Sequence, residues 1–379
     1  MKVVLAHIQK PPFESRIFDK LAYSLSGLAR MQLYILGGNN FGKGNSDQRT
    51  QLLPIFSTKR SLIYRFYNIW TCWCYLVKIK PDVVIICSPD LLLPAVIYKL
   101  AYGKRLIFDI QENFGLNLRF QISYQNLSWI NLQDIADFYF SAFNSFADRY
   151  WLAEKIYTDQ LGISKSKSIV FENKVSEKWK SYEEPDSIKQ SNKNGTVFLF
   201  SGFITEESGI LRAIDFFCAF QIQLTDCHFI ISGYIPNQFL KRKILNAAKQ
   251  NAGIEIFDQG KWVSTASIFN HYVESDVVYL SYIETEANKG KVPTKFFEAQ
   301  FSGKPVLCQK DGSFSKLVVK SEAGFEVDFQ NIESNDFKNL NDQIQSFKPG
   351  KKNGSEFVFD AQGLRTDFLS FCQIFSLKF

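Results

Sequence analysis

The chain has only three histidines, His7, His228 and His271, and none stands at metal-ligand spacing from a cysteine or another histidine. That removes the usual templates for a zinc site. Its seven cysteines, at 72, 74, 87, 218, 227, 308 and 372, include no Cys-x-x-Cys pair, and their number is odd. Most lie inside apolar runs, so they read as reduced core residues of a cytoplasmic protein. No Asp-x-Asp pair follows a strand, and neither a G-x-S-x-G elbow nor a Walker lysine loop occurs. "HIQKPPFESR" stands where a dinucleotide-binding strand would carry glycines, which argues against a dehydrogenase. A net charge of +6 is too weak to argue for nucleic acid, although it favours anionic partners. "MKVVLAHI" lacks the apolar core and cleavage site of a signal peptide. The most apolar stretch, 61–80, is broken by Arg65 and Asn68 well short of the roughly 20 apolar residues that a span requires.

What is present is apolar residues, 46% of the chain, with 37 phenylalanines that read as core filler. Short β-branched runs alternate with amphipathic helices. "KVVLAHI", "MQLYILG", "DVVIICS", "KRLIFDI", "RYWLAE" and "SIVFEN" read as the strands of a first α/β domain, residues 1–175. Residues 176–195 lose periodicity and become polar, which predicts a linker. "TVFLFSG", "CHFIISG", "GIEIFD", "DVVYLSY", "KPVLC" and "GFEVD" restart the alternation over 196–350. Continuous apolar strands separated by helices predict parallel sheets covered on both faces. A helical tail, 351–379, is expected to pack back on the first domain. The fold class is therefore α/β, with two doubly wound domains expected to face a central cleft. Ligands of such sheets bind at the carboxyl ends of the strands.

The stretch "KGKVPTKFFEAQFSGKPVL", 289–307, follows one of those strand ends. Pro293 suits the first helical position. Phe296, Phe297 and Phe301 fall on one side; Lys295, Glu298, Ala299 and Ser302 fall on another. By itself the pattern fits an ordinary amphipathic helix with one surface ion pair. At a sheet's carboxyl edge, however, the helix N-terminus with Lys289, Lys291 and Lys295 favours a phosphate. Glu298 is then placed to accept from a ribose.

Four segments in this order resemble a GT-B glycosyltransferase, closest to retaining family 4, the glycosyl transferases group 1. They are "CSPDLLLPAVIYKLAYGKRLIFDIQENF", "VFENKV", "FLFSGFITEESGILRAIDF" and "KVPTKFFEAQFSGKPVL". The resemblance implies two Rossmann-like domains, an acceptor held by the first and a nucleotide sugar by the second. It implies that Glu298 binds the donor ribose, and that Lys295, Lys291 and N–H groups near Thr294 hold the diphosphate. Gly202 and Phe203 would form a glycine loop. Gly233 and Tyr234 would line the donor cleft, with Gly260, Lys261 and Trp262 near the base. Glu112 and Gln111 stand where the family has a His–Glu pair, and a glutamine cannot shuttle protons near neutral pH. The family's glutamate eight positions before Glu298 is Gly290 here, so Glu284 or Glu286 is the substitute to consider. The basic pair that commonly follows the glycine loop is missing, with Glu206, Glu207 and Ser208 in that region.

The expectation is a metal-independent transferase needing no cofactor, its donor UDP- or GDP-linked and its acceptor a glycan or lipid-linked hydroxyl, as in bacterial surface polysaccharide synthesis. A GT-B nucleotide-sugar epimerase and a non-catalytic nucleotide-sugar-binding partner are the alternatives. Lys59, Arg60, Arg65, Trp70, Trp73, Lys78 and Lys80 suggest a peripheral membrane contact through 59–80 at the inner face.

Overall fold

The computed structural model describes residues 1–8, 10–39, 49–59, 61–116, 132–182, 195–286, 288–349 and 354–377, without the side chains of 132–137. Arg60 and most of the predicted linker, 183–194, lie outside the described residues. The chain divides into two compact units, Met1–Glu177 with Phe359–Phe379, and Lys178–Val358.

The first unit holds a seven-stranded parallel sheet in the order β3-β2-β1-β4-β5-β6-β7. Its strands are β1 (Lys2–Ala6), β2 (Gln32–Gly38), β3 (Thr50–Phe56), β4 (Val83–Ile86), β5 (Arg105–Ile110), β6 (Arg149–Leu152) and β7 (Ser168–Val170). Val3, Val4, Leu5, Val83, Ile85 and Ile107 are fully or almost fully buried. Such runs carry no solvent side because helices cover both faces. β3 escapes the sequence pattern because Pro54 interrupts it. Proline lacks the N–H that an inner strand must donate, and β3 sits at the sheet edge where none is required. The helices of this unit are α1 (Tyr23–Ser26), α2 (Leu62–Ile79), α3 (Leu92–Tyr102), α4 (Leu132–Asn144), α5 (Tyr157–Gln160) and, from the tail, Ala361–Ile374. The tail helix is pinned by Asp367, whose carboxylate accepts from Trp151 Nε1 at 2.8 Å and from the Arg149 guanidinium.

The second unit holds a six-stranded parallel sheet ordered β10-β9-β8-β11-β12-β13. The strands are β8 (Thr196–Phe203), β9 (Cys227–Tyr234), β10 (Ile254–Phe257), β11 (Val277–Leu280), β12 (Val306–Gln309) and β13 (Gly324–Val327). Its helices are α6 (Ile210–Gln223), α7 (Gln238–Gln250), α8 (Thr265–Glu274), α9 (Thr294–Phe301), α10 (Ser315–Lys320) and α11 (Phe337–Ser346). Phe198, Phe216, Phe217, Phe220, Phe229 and Tyr279 form one aromatic core under α6, with rings 4.8 to 6.2 Å apart at mostly edge-on angles. Aromatic pairs in this range add about 0.5–1.5 kcal/mol each beyond their burial. Trp179, inside the segment predicted as a polar linker, is instead buried against Phe269, Tyr272 and Phe301. One large aromatic outweighs its polar neighbours in deciding where a short segment packs.

Candidate active site

The second sheet changes connection direction between β8 and β11, the point at which open parallel sheets bind ligands. Gly202, next to last in β8, has φ +90°, and it pairs with Gly233 of β9. A Cβ on Gly233 would lie 1.9 Å from the Gly202 carbonyl oxygen, so the two backbones approach as only glycine permits. A Cβ on Gly202 would lie 3.5 Å from Cε of Lys295. That is ordinary contact distance, so it is the positive φ and not the lysine that favours glycine here.

Lys295 lies in the first turn of α9, and it is not the surface residue its pattern suggested. It is 5% exposed, and its Nζ finds no hydrogen-bond partner among the described residues. The ammonium lies 4.0 Å above the Phe200 ring and 5.2 Å from that of Tyr282. Burial pulls its pKa down to about 7 against the opposing pull of Glu298. The ordinary reading of the pattern, a surface helix with one exposed ion pair, therefore does not describe this lysine. Both faces of this short helix are packed, so the lysine went inside with the phenylalanines. Pro293 takes the N-cap position and Thr294 the first helical one.

Glu298 stands one turn further on. Its Oε2 accepts from Tyr272 Oη at 2.9 Å, and Tyr272 Oη lies 2.7 Å from Ser201 Oγ. Tyr272 is buried, which pushes its phenol well above the usual range and keeps it a donor to Glu298. Sequence reasoning missed Tyr272 and Ser201, which no motif marks; only the fold brings β8, α8 and α9 together.

Around this centre, Phe203, Tyr234 and Trp262 form an aromatic row, with ring centroids 5.9 and 6.1 Å apart. Gly260, at φ +70°, accepts from Ile235 N–H at 3.0 Å and so ties the 258–262 loop to the end of β9. Lys261 is exposed. Gly290, where the resemblance asks for a glutamate, sits at φ +76°, a conformation that side-chain-bearing residues rarely adopt. Asn288 shapes the preceding loop by accepting from Thr285 N–H and donating to the Ile283 carbonyl. Lys291 is half-buried in that loop. Glu286 is exposed beside Lys289, and Glu284 accepts from Ser313 N–H at 3.0 Å. Glu284 thus lines a cavity of about 130 Å³ with Arg212, Tyr282, Gln309, Lys310 and Phe314. Tyr282 walls both this cavity and the Lys295 amine. Arg212 is the cation that sequence reasoning missed. It lies in the first turn of α6, beyond the Glu206–Ser208 segment, which closes a turn through Ser208 Oγ and the Thr205 backbone and accepts from Ile283 N–H through the Glu207 carbonyl.

The carboxyl edge of the first sheet is polar in another way. Asp109 of β5 holds the Arg16 guanidinium through two bonds, 2.6 and 3.1 Å long, and both side chains are fully buried. Gln111 Nε2 donates to Asp109 at 2.9 Å, while its Oε1 accepts from Lys10 Nζ at 3.1 Å. The Gln111 amide is therefore fixed in orientation, with a second N–H still to donate. Lys10 also pairs with Glu14 at 3.2 Å. Burial raises the Glu14 pKa, but Lys10, His7 and the Ile17 N–H outweigh it and hold the carboxyl at about 2. His7 is 3% exposed and neither ring nitrogen has a hydrogen-bond partner among the described residues; burial pulls its pKa to about 4. Glu112 is exposed.

Among the described residues, no helix is long and apolar enough to cross a membrane, and no group of three His, Cys, Asp or Glu side chains could hold a metal. Two parallel-sheet units with these edges define the GT-B fold. Residues 182–349 match the family model for glycosyl transferases group 1. No curated protein matches the chain. Among solved structures, sucrose-phosphate synthase from Thermosynechococcus elongatus is similar at 11% identity, with all of both chains covered and a TM-score of 0.71. Anabaena Alr3699/HepE in complex with UDP-glucose is 14% identical, covering 98% of this chain and 99% of that one, with a TM-score of 0.64. A UDP-N-acetylglucosamine 2-epimerase is 12% identical over 100% and 97% of the two chains, at TM-score 0.56.

Proposed function

We propose that this protein is a glycosyltransferase that moves a sugar from a nucleoside-diphosphate sugar to an acceptor hydroxyl. One observation carries the reading. Lys295 is a buried ammonium without a hydrogen-bond partner among the described residues, at the N-terminus of α9 and next to a glycine pair where two backbones approach closely. A buried, unmatched cation is costly unless an anion completes it, and exposed helix N–H groups recruit the same kind of ligand. A diphosphate supplies that charge, with Glu298 held by Tyr272 to receive the ribose hydroxyls. The aromatic row of Phe203, Tyr234 and Trp262 offers ring faces to a base.

In the reaction, the bond from the anomeric carbon to the diphosphate breaks and a bond to the acceptor oxygen forms. The acceptor proton passes to the leaving phosphate oxygen, with retention of configuration. Lys295 and the N–H groups of Thr294 and its neighbours stabilise the charge that develops on the leaving group, work that a metal does elsewhere. Gln111, locked by Lys10 and Asp109, contributes a fixed donor in the acceptor unit and no proton shuttle. Anabaena HepE in complex with UDP-glucose supports a uridine donor, and a lipid-linked or glycan acceptor in surface polysaccharide synthesis fits the same reading.

The test is a thermal-shift series with UDP, GDP, ADP, CMP and dTDP without added metal. A ligand at about a hundred times its dissociation constant adds roughly 2.7 kcal/mol of stability. One diphosphate is expected to stabilise the wild type and not Glu298→Ala; stabilisation by none would overturn the reading. The similarity to a 2-epimerase favours a second reaction on the same site. It is decided by incubating the binding nucleotide sugar alone: a new epimer supports the second reading, and turnover only with an acceptor supports the first.

A further inference from the structure

Helix α2 carries its polarity the wrong way round. Its inner side includes Asn68, which is 1% exposed and makes a pair of hydrogen bonds with the Ser57 backbone, accepting its N–H at 2.9 Å and donating to its carbonyl at 2.8 Å. That clamp, with buried Cys72, Leu76 and Ile79, fixes which side of the helix faces the sheet. The opposite side presents Leu62, Ile63, Phe66, Tyr67 and Trp70, between 51% and 78% exposed. Large aliphatic and aromatic side chains at spacings of three and four on the solvent face reverse the ordinary pattern of a surface helix. Neighbouring α3, joined to α2 through Trp73 packed against Tyr98 and Tyr102, extends the surface with Ile97, Leu100 and Tyr102, 45%, 64% and 48% exposed.

The charges around this face have one sign. Neither α2 nor α3 contains an acidic residue, and Lys59, Lys78 and Lys80 are exposed beside it. The nearby carboxylates are already occupied, Asp82 by Lys104 at 2.8 Å and Asp90 by Arg65 at 3.5 Å. An apolar row with tryptophan and tyrosine, ringed by lysines, matches a bilayer whose headgroups are anionic. A second copy of the chain fits less well, because a two-fold contact would set the same lysines against one another.

We propose that α2 lies in the plane of an anionic membrane surface, with Ile63, Phe66 and Trp70 in the acyl boundary and Lys59, Lys78 and Lys80 among the headgroups. From Ile63 to Lys78 a helix advances about 22 Å at about 1.5 Å per residue, so the helix lies along the interface and does not cross it. The proposal is independent of the glycosyltransferase reading.

The experiment is flotation of the full chain with phosphatidylcholine vesicles, with and without phosphatidylglycerol. The wild type is expected to float with the anionic vesicles only, less so in high salt. The double variant Phe66→Ser, Trp70→Ser should lose about tenfold in bound fraction, while its diphosphate-induced thermal shift stays that of the wild type. Ile222→Ser, which removes a comparably exposed side chain from the second unit, should float like the wild type. No flotation with either vesicle, or equal flotation by the double variant, overturns the proposal. So does a wild-type dimer in light scattering that the double variant converts to monomer, which would make the face an interface between copies.

Discussion

The two sheets end in opposite electrostatic states. At the edge of the first, the buried cation Arg16 is matched by Asp109, Lys10 by Glu14, and Lys20 by the Asn173 side chain. At the edge of the second, Lys295 is also buried, but its Nζ has no hydrogen-bond partner among the described residues and lies over aromatic faces, with Glu298 the nearby charge that pulls against burial. A matched buried charge serves position; an unmatched one is held at a cost that a ligand can remove. On the proposed reading, a buried cation therefore serves architecture in the first unit and meets the donor diphosphate in the second.

The contrast breaks first at Asp109. Replacing it by Ala strands the Arg16 guanidinium with no carboxylate, and Gln111 loses its anchor. A destabilisation of about 3–5 kcal/mol is expected from denaturant unfolding, with the double variant Arg16→Met, Asp109→Leu recovering most of it. A loss below about 1 kcal/mol in the single variant would mean that the pair does not organise the edge.

Lys295→Met should do the reverse. It removes an unmatched charge and keeps the packing on Phe200, so the free protein is expected to gain stability, by about 1–3 kcal/mol. Diphosphate binding should fall about a hundredfold by calorimetry. A variant that loses stability and keeps its affinity would place Lys295 with Arg16, as architecture.

The difference also has a pH signature. With a native pKa near 7 and an ordinary value of 10.5, Lys295 is largely neutral in the free protein above pH 7 while the unfolded chain keeps the proton. The unfolded state then binds more protons, so this residue's contribution to stability rises from pH 7 to 10.5 and is lost as pH falls through 7. Binding has the opposite sign, because a diphosphate prefers the ammonium. Affinity should decline up to about tenfold per unit above pH 7 with proton uptake measurable in buffers of different ionisation enthalpy. Lys295→Arg, always charged, should flatten the dependence. In the first unit, His7 works in the acid range. Its depressed native pKa of about 4 against 6.5 makes stability fall as pH drops from 6.5 to 4, a slope that His7→Phe should reduce.

The alternation of strands and helices was legible because buried parallel strands must be continuous apolar runs, and twelve of the strand segments announce themselves so. β3 did not, because Pro54 is admissible only at the edge position that topology assigns it. The glycine pair and the start of α9 were legible as parts of the sheet's carboxyl edge, since glycines at strand ends and a helix start after a strand carry local meaning. The state of Lys295 was not, since helical spacing tells which residues share a side and says nothing of whether both sides are covered. Arg16, Asp109, Tyr272 and Arg212 were missed for one reason: each acquires its role from a partner far along the chain, Arg16 and Asp109 being 93 residues apart. Trp179 shows the complementary error, where polar neighbours hid a buried anchor.

The smallest effect tests how finely the second edge is built. Tyr272 touches Glu298 and Ser201 through one hydroxyl, so Tyr272→Phe deletes two contacts and preserves the ring that packs on Trp179. The stability cost should be about 1 kcal/mol, because Ser201 Oγ is buried and loses a partner. Glu298 stays in place but loses the hydroxyl that helps orient its carboxylate. A donor hydroxyl bonded to a less firmly oriented carboxylate is weakened equally in the ground and transition states, so KM for the donor should rise about threefold to tenfold with kcat unchanged. A fall in kcat at constant KM would instead mean that the Tyr272–Glu298 pair acts only in the transition state. The second edge would then resemble the first, a prearranged network whose charges are matched by each other before any ligand arrives.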